Sequence, residues 1–599
     1  MNTPKILKHA LLIAICLCSV ACKKTFDITP ENVITPENAY RDVNDADAAI
    51  FGILGKFVGV MDRFVVQNEL RGDLMDVTQN ADKYLKQLNE HNVTTDNPWA
   101  DPKPYFSIIL NCNDVMNNFN AMLQDKRMSQ ANYNIRYSEV AGIWAWVYLQ
   151  LGIHYGSVPY VTSSLSSIEE LNDTSKYPMV TFDQLLDKLI NVIQNVPVML
   201  PIQLIGPGGR TAINVPEGLS LIRTIDGYST ARMFINRPFL LGDLYLWKGN
   251  YPMAAHNYRI VHNYAELIDP TKADVWLQYM KEYPSVNGYD GSRTPPNAWP
   301  QMFNSPYGND DLTDILTVLP FDRNFAPANP FVTLFSHGGK YLLKPSALAI
   351  KNWNSQTRSD GTPGDTFRGA GISYSTGAEP EVQKLLGQYS PANPFATNGK
   401  VILQRGGGIL MHLAETANRD GRDQLTSGIL NTGFLNGIFK GPPPIPTNVV
   451  NIEQNFDPNP DYYFDARFGQ FPAFAGSWER FAGMRGHVAL AQNLVDSTKY
   501  FDMSNPGLWD KPVTNAKGLM LVLEDKIVDE NGLEMAYEGV RWSDLLRVAL
   551  RREKEAPGTG LSFLRNKIAS KFVAAGLPIP DSVNKLGAST SNWYMPFKL

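Results

Sequence analysis

The sequence predicts an all-α protein, a scaffold of packed helical hairpins with a large loop-rich region. Three observations lead there. Apolar residues recur at helical spacing in both the first and the last thirds of the 599 residues. One pair of helical segments, within residues 229–265, places small and aromatic residues where two helices would touch. Between the helical regions, from about Trp276 to Trp353, prolines break every long helical pattern while aromatics stay dense. The chain is long enough for a large core, and 44% hydrophobic with 19% charged residues is the balance of a folded chain.

The first segment reads as targeting rather than fold. Lys5 and Lys8 precede an apolar run, Ala10 to Val20, that is too short to span a bilayer. Ser19-Val20-Ala21-Cys22 looks like a bacterial lipobox, in which the peptide is cut before Cys22 and the cysteine is acylated. Two or more acyl chains anchor a protein stably where one does not. The expected organisation is therefore a signal peptide over 1–21, a polar tether over 22–34 and a single folded domain over 35–599. Within it, 35–275 is the helical part with the hairpins, and 276–599 holds the loop-rich region and the C-terminal helices. Cys16 and Cys18 would leave with the signal and Cys22 would carry lipid, so Cys112 stays alone and no intrachain disulfide or cysteine-built zinc site is expected. Losing residues 1–21 moves the formal net charge from −5 to −7, which argues against a nucleic-acid partner. No later stretch is long and apolar enough for a transmembrane helix.

The helical elements follow in order. Thr35-Pro36-Glu37 has the residues of a helix start, and Ala46, Ile50, Leu54 and Phe57 keep helical spacing after it. Residues 104–123 repeat the pattern, and 133–155 form a strongly apolar helix that stops at Gly156, before Val158-Pro159-Tyr160. Thr181 and Gln184 make a capping box in front of Leu185, Leu186, Leu189, Ile190 and Ile193, and Pro197 ends that helix. Leu241-Gly242-Asp243-Leu244-Tyr245 fits the L-G-x-x-Y core of a tetratricopeptide helix. Gly249-Asn250 makes the turn, and Ala254 and Tyr258 stand where the second helix wants a small residue and an aromatic; Pro238 departs from the motif's Trp. Ile409 to Glu415 is a similar small-and-apolar helix. A second loop-rich segment, with Gly441-Pro442-Pro443-Pro444, runs to about residue 477.

Motifs for chemistry fail one by one. No Gly-Lys pair is followed by Ser or Thr, so there is no Walker loop, and there is no G-x-S-x-G or H-E-x-x-H. Asp457-x-Asn459-x-Asp461 begins like a calcium loop but has Tyr462 and Phe468 where Gly and Glu are required. His412, alone on an apolar helix, reads as a satisfied core residue, and Gly206-Pro207-Gly208-Gly209 as a turn. Paired carboxylates for glycoside hydrolysis need only meet in space, but nothing in the pattern points to them. The densest charge cluster, Glu538 to Glu553, mixes arginines and acids with Trp542. Its stripe of Trp542, Leu545, Leu546 and Ala549 marks it as a scaffold helix, with Arg541 expected to pair locally with Asp544 and Glu538.

Four segments together resemble the SusD/RagB-type outer-membrane lipoproteins of the Bacteroidetes, over nearly the whole chain. They are Cys22-Lys23-Lys24 with its tether, the helix end Tyr155-Gly156-Ser157-Val158-Pro159, the Leu241 to Tyr258 hairpin, and Glu530 to Arg547. The last is similar to the family's E-R-x-x-E-L-x-x-E-G-x-R-W-x-D-L-x-R, with Asn531 in place of the usual Arg. Ser157 replaces the family's Asp, and Gly406-Gly407-Gly408 interrupts a helix in which the family has helix formers, at roughly 2–3 kcal/mol for the three glycines. The resemblance implies a binding protein without catalysis, held to the outer membrane by lipid and facing the cell exterior; no cofactor and no metal-ligand residues are assigned. It implies four tetratricopeptide-like helix pairs and a loop-rich face. It also implies a partner, a SusC-like TonB-dependent transporter that takes up captured oligosaccharides, or peptides in the RagB branch.

Sugar recognition needs flat aromatic rings for C–H faces and planar polar groups for hydroxyls, held on loops over a rigid scaffold. Tyr289, Trp299 and Phe303, among prolines, are the first candidates, Trp99 in Asn97-Pro98-Trp99 is another, and Arg71 and Asp73 are the candidate polar contacts. The family's ligand face draws on these two regions. Competing readings are a peptide binder on the same scaffold, a protein adaptor and a hydrolase.

Overall fold

The computed structural model describes residues 39–200, 221–262, 302–304, 307, 315–324, 328–387, 389–395, 398–431, 433, 459–462, 483–505 and 512–599. The expectations for the signal, Cys22 and the tether, the Thr35 helix start, the Gly206 turn, Tyr289, Trp299 and the Gly441–Pro444 loop lie outside the described residues.

Helices dominate, as expected. The first half holds α1 (Val43–Val58), α2 (Met61–Glu69), α3 (Lys83–Asn89), α4 (Lys103–Gln124), α5 (Gln130–Tyr155), α6 (Phe182–Gln194), α7 (Arg237–Lys248) and α8 (Tyr251–His262). The second half holds α9 (Pro330–Phe335), α10 (Ala347–Asn354), α11 (Gly406–Arg419), α12 (Asp423–Leu430), α13 (Gly483–Gly486), α14 (Ala516–Glu534), α15 (Arg541–Glu555), α16 (Thr559–Ala574) and α17 (Asp581–Lys585). Residues 39–42 lie outside the helix, and α1 starts at Val43 behind its cap Asp42, whose carboxylate accepts the backbone N–H groups of Asn44 and Asp45. The Thr181–Gln184 capping box is formed at the start of α6.

Each of α4 to α7 packs on the next, α7 on α8, α8 on α11, and α11 on α12 and α14. Helix α5 is buried on all sides from Ser138 to Tyr155, which places it at the centre of the N-terminal half. The α7–α8 pair is the close hairpin that the small residues imply. A Cβ on Gly242 would stand 2.5 Å from the Tyr258 ring, and the Tyr258 phenol donates to Asp243 at 2.8 Å.

Four two-stranded antiparallel sheets stitch the loops: β1 (Met75–Val77) with β7 (Leu343–Pro345), β2 (Ser157–Pro159) with β3 (Met179–Thr181), β4 (Thr224–Ile225) with β5 (Tyr228–Ser229), and β6 (Ile315–Phe321) with β8 (Gly399–Arg405). The β6–β8 ladder, seven residues a side, was not anticipated. The glycine triplet also behaves differently from expectation. Gly406 to Gly408 do not interrupt α11; they are its first turn, directly after β8, where a Cβ on Gly408 would stand 3.3 Å from Phe239. Among the described residues no helix is long and apolar enough to cross a membrane.

Candidate functional site

The site begins with a two-residue hairpin. Asp226 and Gly227 join β4 to β5, both at positive φ (51° and 89°), a backbone that Asp-Gly accepts readily. The hairpin holds Tyr228 over one end of the β6–β8 ladder. There Phe321 pairs with Gly399, so Asp322 leaves β6 and Asn398 enters β8 side by side. The Tyr228 phenol donates to Asp322 Oδ2 at 2.5 Å and accepts from Asn398 Nδ2 at 2.8 Å. The Tyr307 ring meets the Tyr228 ring edge-on, centroids 5.2 Å apart, and its hydroxyl donates to the Ser229 carbonyl.

These groups, with Phe303, Gly387, Gly399 and Lys400, line an open cleft of about 220 Å³. That is smaller than the roughly 300–1,000 Å³ pockets that enclose drug-sized ligands, and suits one sugar unit or one side chain of a longer ligand. Phe303 forms part of its floor, with the Lys384 ammonium 4.9 Å from the ring centroid. Burial alone would raise the Asp322 pKa. Hydrogen bonds from Tyr228 and from the Asn324 backbone, with the charge of Arg323, outweigh it and hold the carboxyl below its ordinary value. Burial and the neighbouring Asp322 push the Tyr228 phenol well up, so it stays a neutral donor. The cleft thus offers two part-exposed tyrosine rings, a buried phenyl floor and ionised carboxylate oxygens.

Of the residues chosen from sequence, Phe303 lies here, 3% exposed. Trp99 does not line this cleft. It sits half-buried in a short turn, its carbonyl accepting from Gln67 and its ring packed on the core. Arg71 and Asp73 do not line this cleft either, and each is only 2% exposed. The Arg71 guanidinium lies 4.0 Å over the Trp542 ring, donates to the Trp593 carbonyl at 2.6 Å, and is pushed down to about 9 by burial. Asp73 accepts two hydrogen bonds from Arg541, at 2.6 and 2.9 Å. These contacts tie both side chains into the scaffold. Sequence reasoning passed over Tyr228, Tyr307, Asp322 and Asn398. The Asp226-Gly227 turn between Thr224-Ile225 and Tyr228-Ser229 was the one local signal for a hairpin there.

The charge cluster at 538–553 is scaffold, but Arg541 and Glu538 pair across the fold rather than with each other or with Asp544. Glu538 accepts from Arg405 (2.7 Å) and Lys384 (2.8 Å), and Arg541 pairs with Asp73. Asp544 accepts from Arg547 at 2.8 Å and from Asn531, the residue standing where the family motif has Arg. His412 is a satisfied core residue, 2.8 Å from Asp243 and 3.4 Å from Asp544. Asn459 and Asp461 make a turn, with the Asp461 N–H donating to Asn459, and Asp461 lies 3.1 Å from His256. Among the described residues no group of three or more His, Cys, Asp or Glu side chains is placed to hold a metal ion.

No protein-family model matches the chain, and no curated protein sequence does. Solved structures do. A SusD superfamily protein from Bacteroides thetaiotaomicron superposes with a TM-score of 0.53 at 14% identity, over 92% of this chain and 97% of that one. A SusD superfamily protein from Bacteroides vulgatus gives 0.52 at 12% identity, over 91% and 97%. A SusD-like carbohydrate-binding protein from Bacteroides fragilis gives 0.51 at 15% identity, over 86% and 87%. At these identities the likeness is one of fold, and it covers nearly the full length of both chains.

Proposed function

From a chain with the SusD-superfamily fold, we propose a cell-surface nutrient-binding lipoprotein that captures oligosaccharides and hands them to a SusC-like TonB-dependent transporter. Anchoring is through acylated Cys22, outside the outer membrane. The observation that carries the reading is the cleft on this fold: Tyr228 and Tyr307 rings over a Phe303 floor, beside Asp322 and Asn398. Rings that match C–H faces and planar groups that match hydroxyls are what a sugar requires. The B. fragilis structure described as carbohydrate-binding supports the same ligand class. Retained ligand is released unchanged, since binding and transfer are the whole task.

The test is a glycan and peptide panel on the lipid-free protein, with Tyr228→Ala and Tyr307→Ala beside wild type. Oligosaccharide binding that weakens by about 1–3 kcal/mol in variants that remain folded is the expected outcome. Binding confined to peptides would transfer the site to the peptide-binding alternative, and turnover of a bound oligosaccharide would replace capture by hydrolysis. Loss of membrane fractionation in Cys22→Ser tests the anchor.

A further inference from the structure

The cleft's polar groups are unevenly divided between donors and acceptors. Asp226 sits exposed at the hairpin tip and Asp322 at the ladder end. Lys400, the one cation among the described lining residues, is 4% exposed and lies in the floor. The Tyr228 phenol is used in both directions, donating to Asp322 and accepting from Asn398. The Asn398 carbonyl oxygen is used by the Arg323 backbone N–H at 3.0 Å. Among the described lining side chains a ligand entering the rim therefore meets mainly carboxylate, which only accepts hydrogen bonds when ionised, and the Asn398 amide, whose NH2 carries a second donor.

Resting on the oligosaccharide reading above, we infer that this cleft selects uncharged or amino sugars and rejects uronic and sulfated ones. A hydroxyl or ammonium brings donors that two carboxylates can accept. A ligand carboxylate or sulfate brings only acceptors and a like charge, and like charges set against each other are a strong element of discrimination. A sugar's hydroxyl donors to a carboxylate also make charge-assisted hydrogen bonds, stronger than neutral ones.

An array of neutral, amino, uronic and sulfated oligosaccharides on matched backbones tests this, with wild type, Asp226→Asn and Asp322→Asn. Asp226 is exposed on a turn, so its variant keeps the fold even if Asp322→Asn loosens the ladder end; thermal midpoints of all three are measured alongside. Wild type is expected to prefer neutral or amino sugars over their acidic counterparts by about tenfold or more, and both variants to narrow that gap, most at low salt. Preference for acidic sugars, or a gap unchanged in both folded variants, overturns the inference while leaving glycan capture standing. An array silent for every sugar overturns the glycan reading itself, and the inference with it.

Discussion

His412 is a buried imidazole that two carboxylates keep charged. Burial alone would lower its pKa, but Asp243 and Asp544 outweigh that and carry it up to about 10. In the unfolded chain an imidazole titrates near 6.5. The folded state therefore holds a proton that the unfolded state releases between those values. The resulting stability is complete below about pH 6.5 and is lost as pH rises toward 10. Thermal midpoints from pH 6 to 10 should fall for wild type, and the fall should be shallower for His412→Gln. Glu538 is a different case, a buried carboxylate between two cations, Arg405 and Lys384. Removing Arg405 leaves Glu538 with Lys384 alone, an incompletely compensated buried charge, so Arg405→Met should destabilise in denaturant unfolding, by up to about 3–5 kcal/mol. Neither role was legible in sequence. Residue type told that Arg71 and Asp73 were polar, and nothing local told that both were enclosed.

At the scale of elements, what was readable is what is local. The Thr181–Gln184 capping box, the helical periodicity of 104–123 and 133–155 and the Gly242–Tyr258 contact are set by residues within one or two turns or one hairpin, and the structure keeps these three. Ile315–Phe321 was not readable, because a short apolar run fits a buried strand and a buried helical segment alike, and its partner lies some 80 residues on. The cleft inherits that difficulty, since Tyr228, Asp322 and Asn398 meet only when three separate segments do. The α7–α8 hairpin gives the clearest element-scale prediction. A methyl on Gly242 has nowhere to go but the Tyr258 ring, which is itself buried and bonded to Asp243. Gly242→Ala should destabilise by about 1–3 kcal/mol through overpacking, read as a lower denaturation midpoint with an unchanged slope.

Across the whole molecule, the scaffold is closed by contacts between its two sequence ends. Glu69 at the end of α2 accepts the backbone N–H groups of Tyr537, Gly539 and Val540, just before α15 begins, while Arg541 grips Asp73. Lys571 in α16 donates to the carbonyls of Leu70 and Gly72 and to Asn89. Arg541→Ala should therefore lower the thermal midpoint while leaving oligosaccharide affinity in the folded protein unchanged, since its contacts lie in the scaffold rather than in the cleft. The same closure makes the chain's continuity dispensable once it has folded. A protease site engineered between residues 262 and 302 and cut in the native protein would yield two polypeptides that still elute together as one particle. They would part only in denaturant, because residues 69–73 and 537–541 act as a clasp between N- and C-terminal pieces.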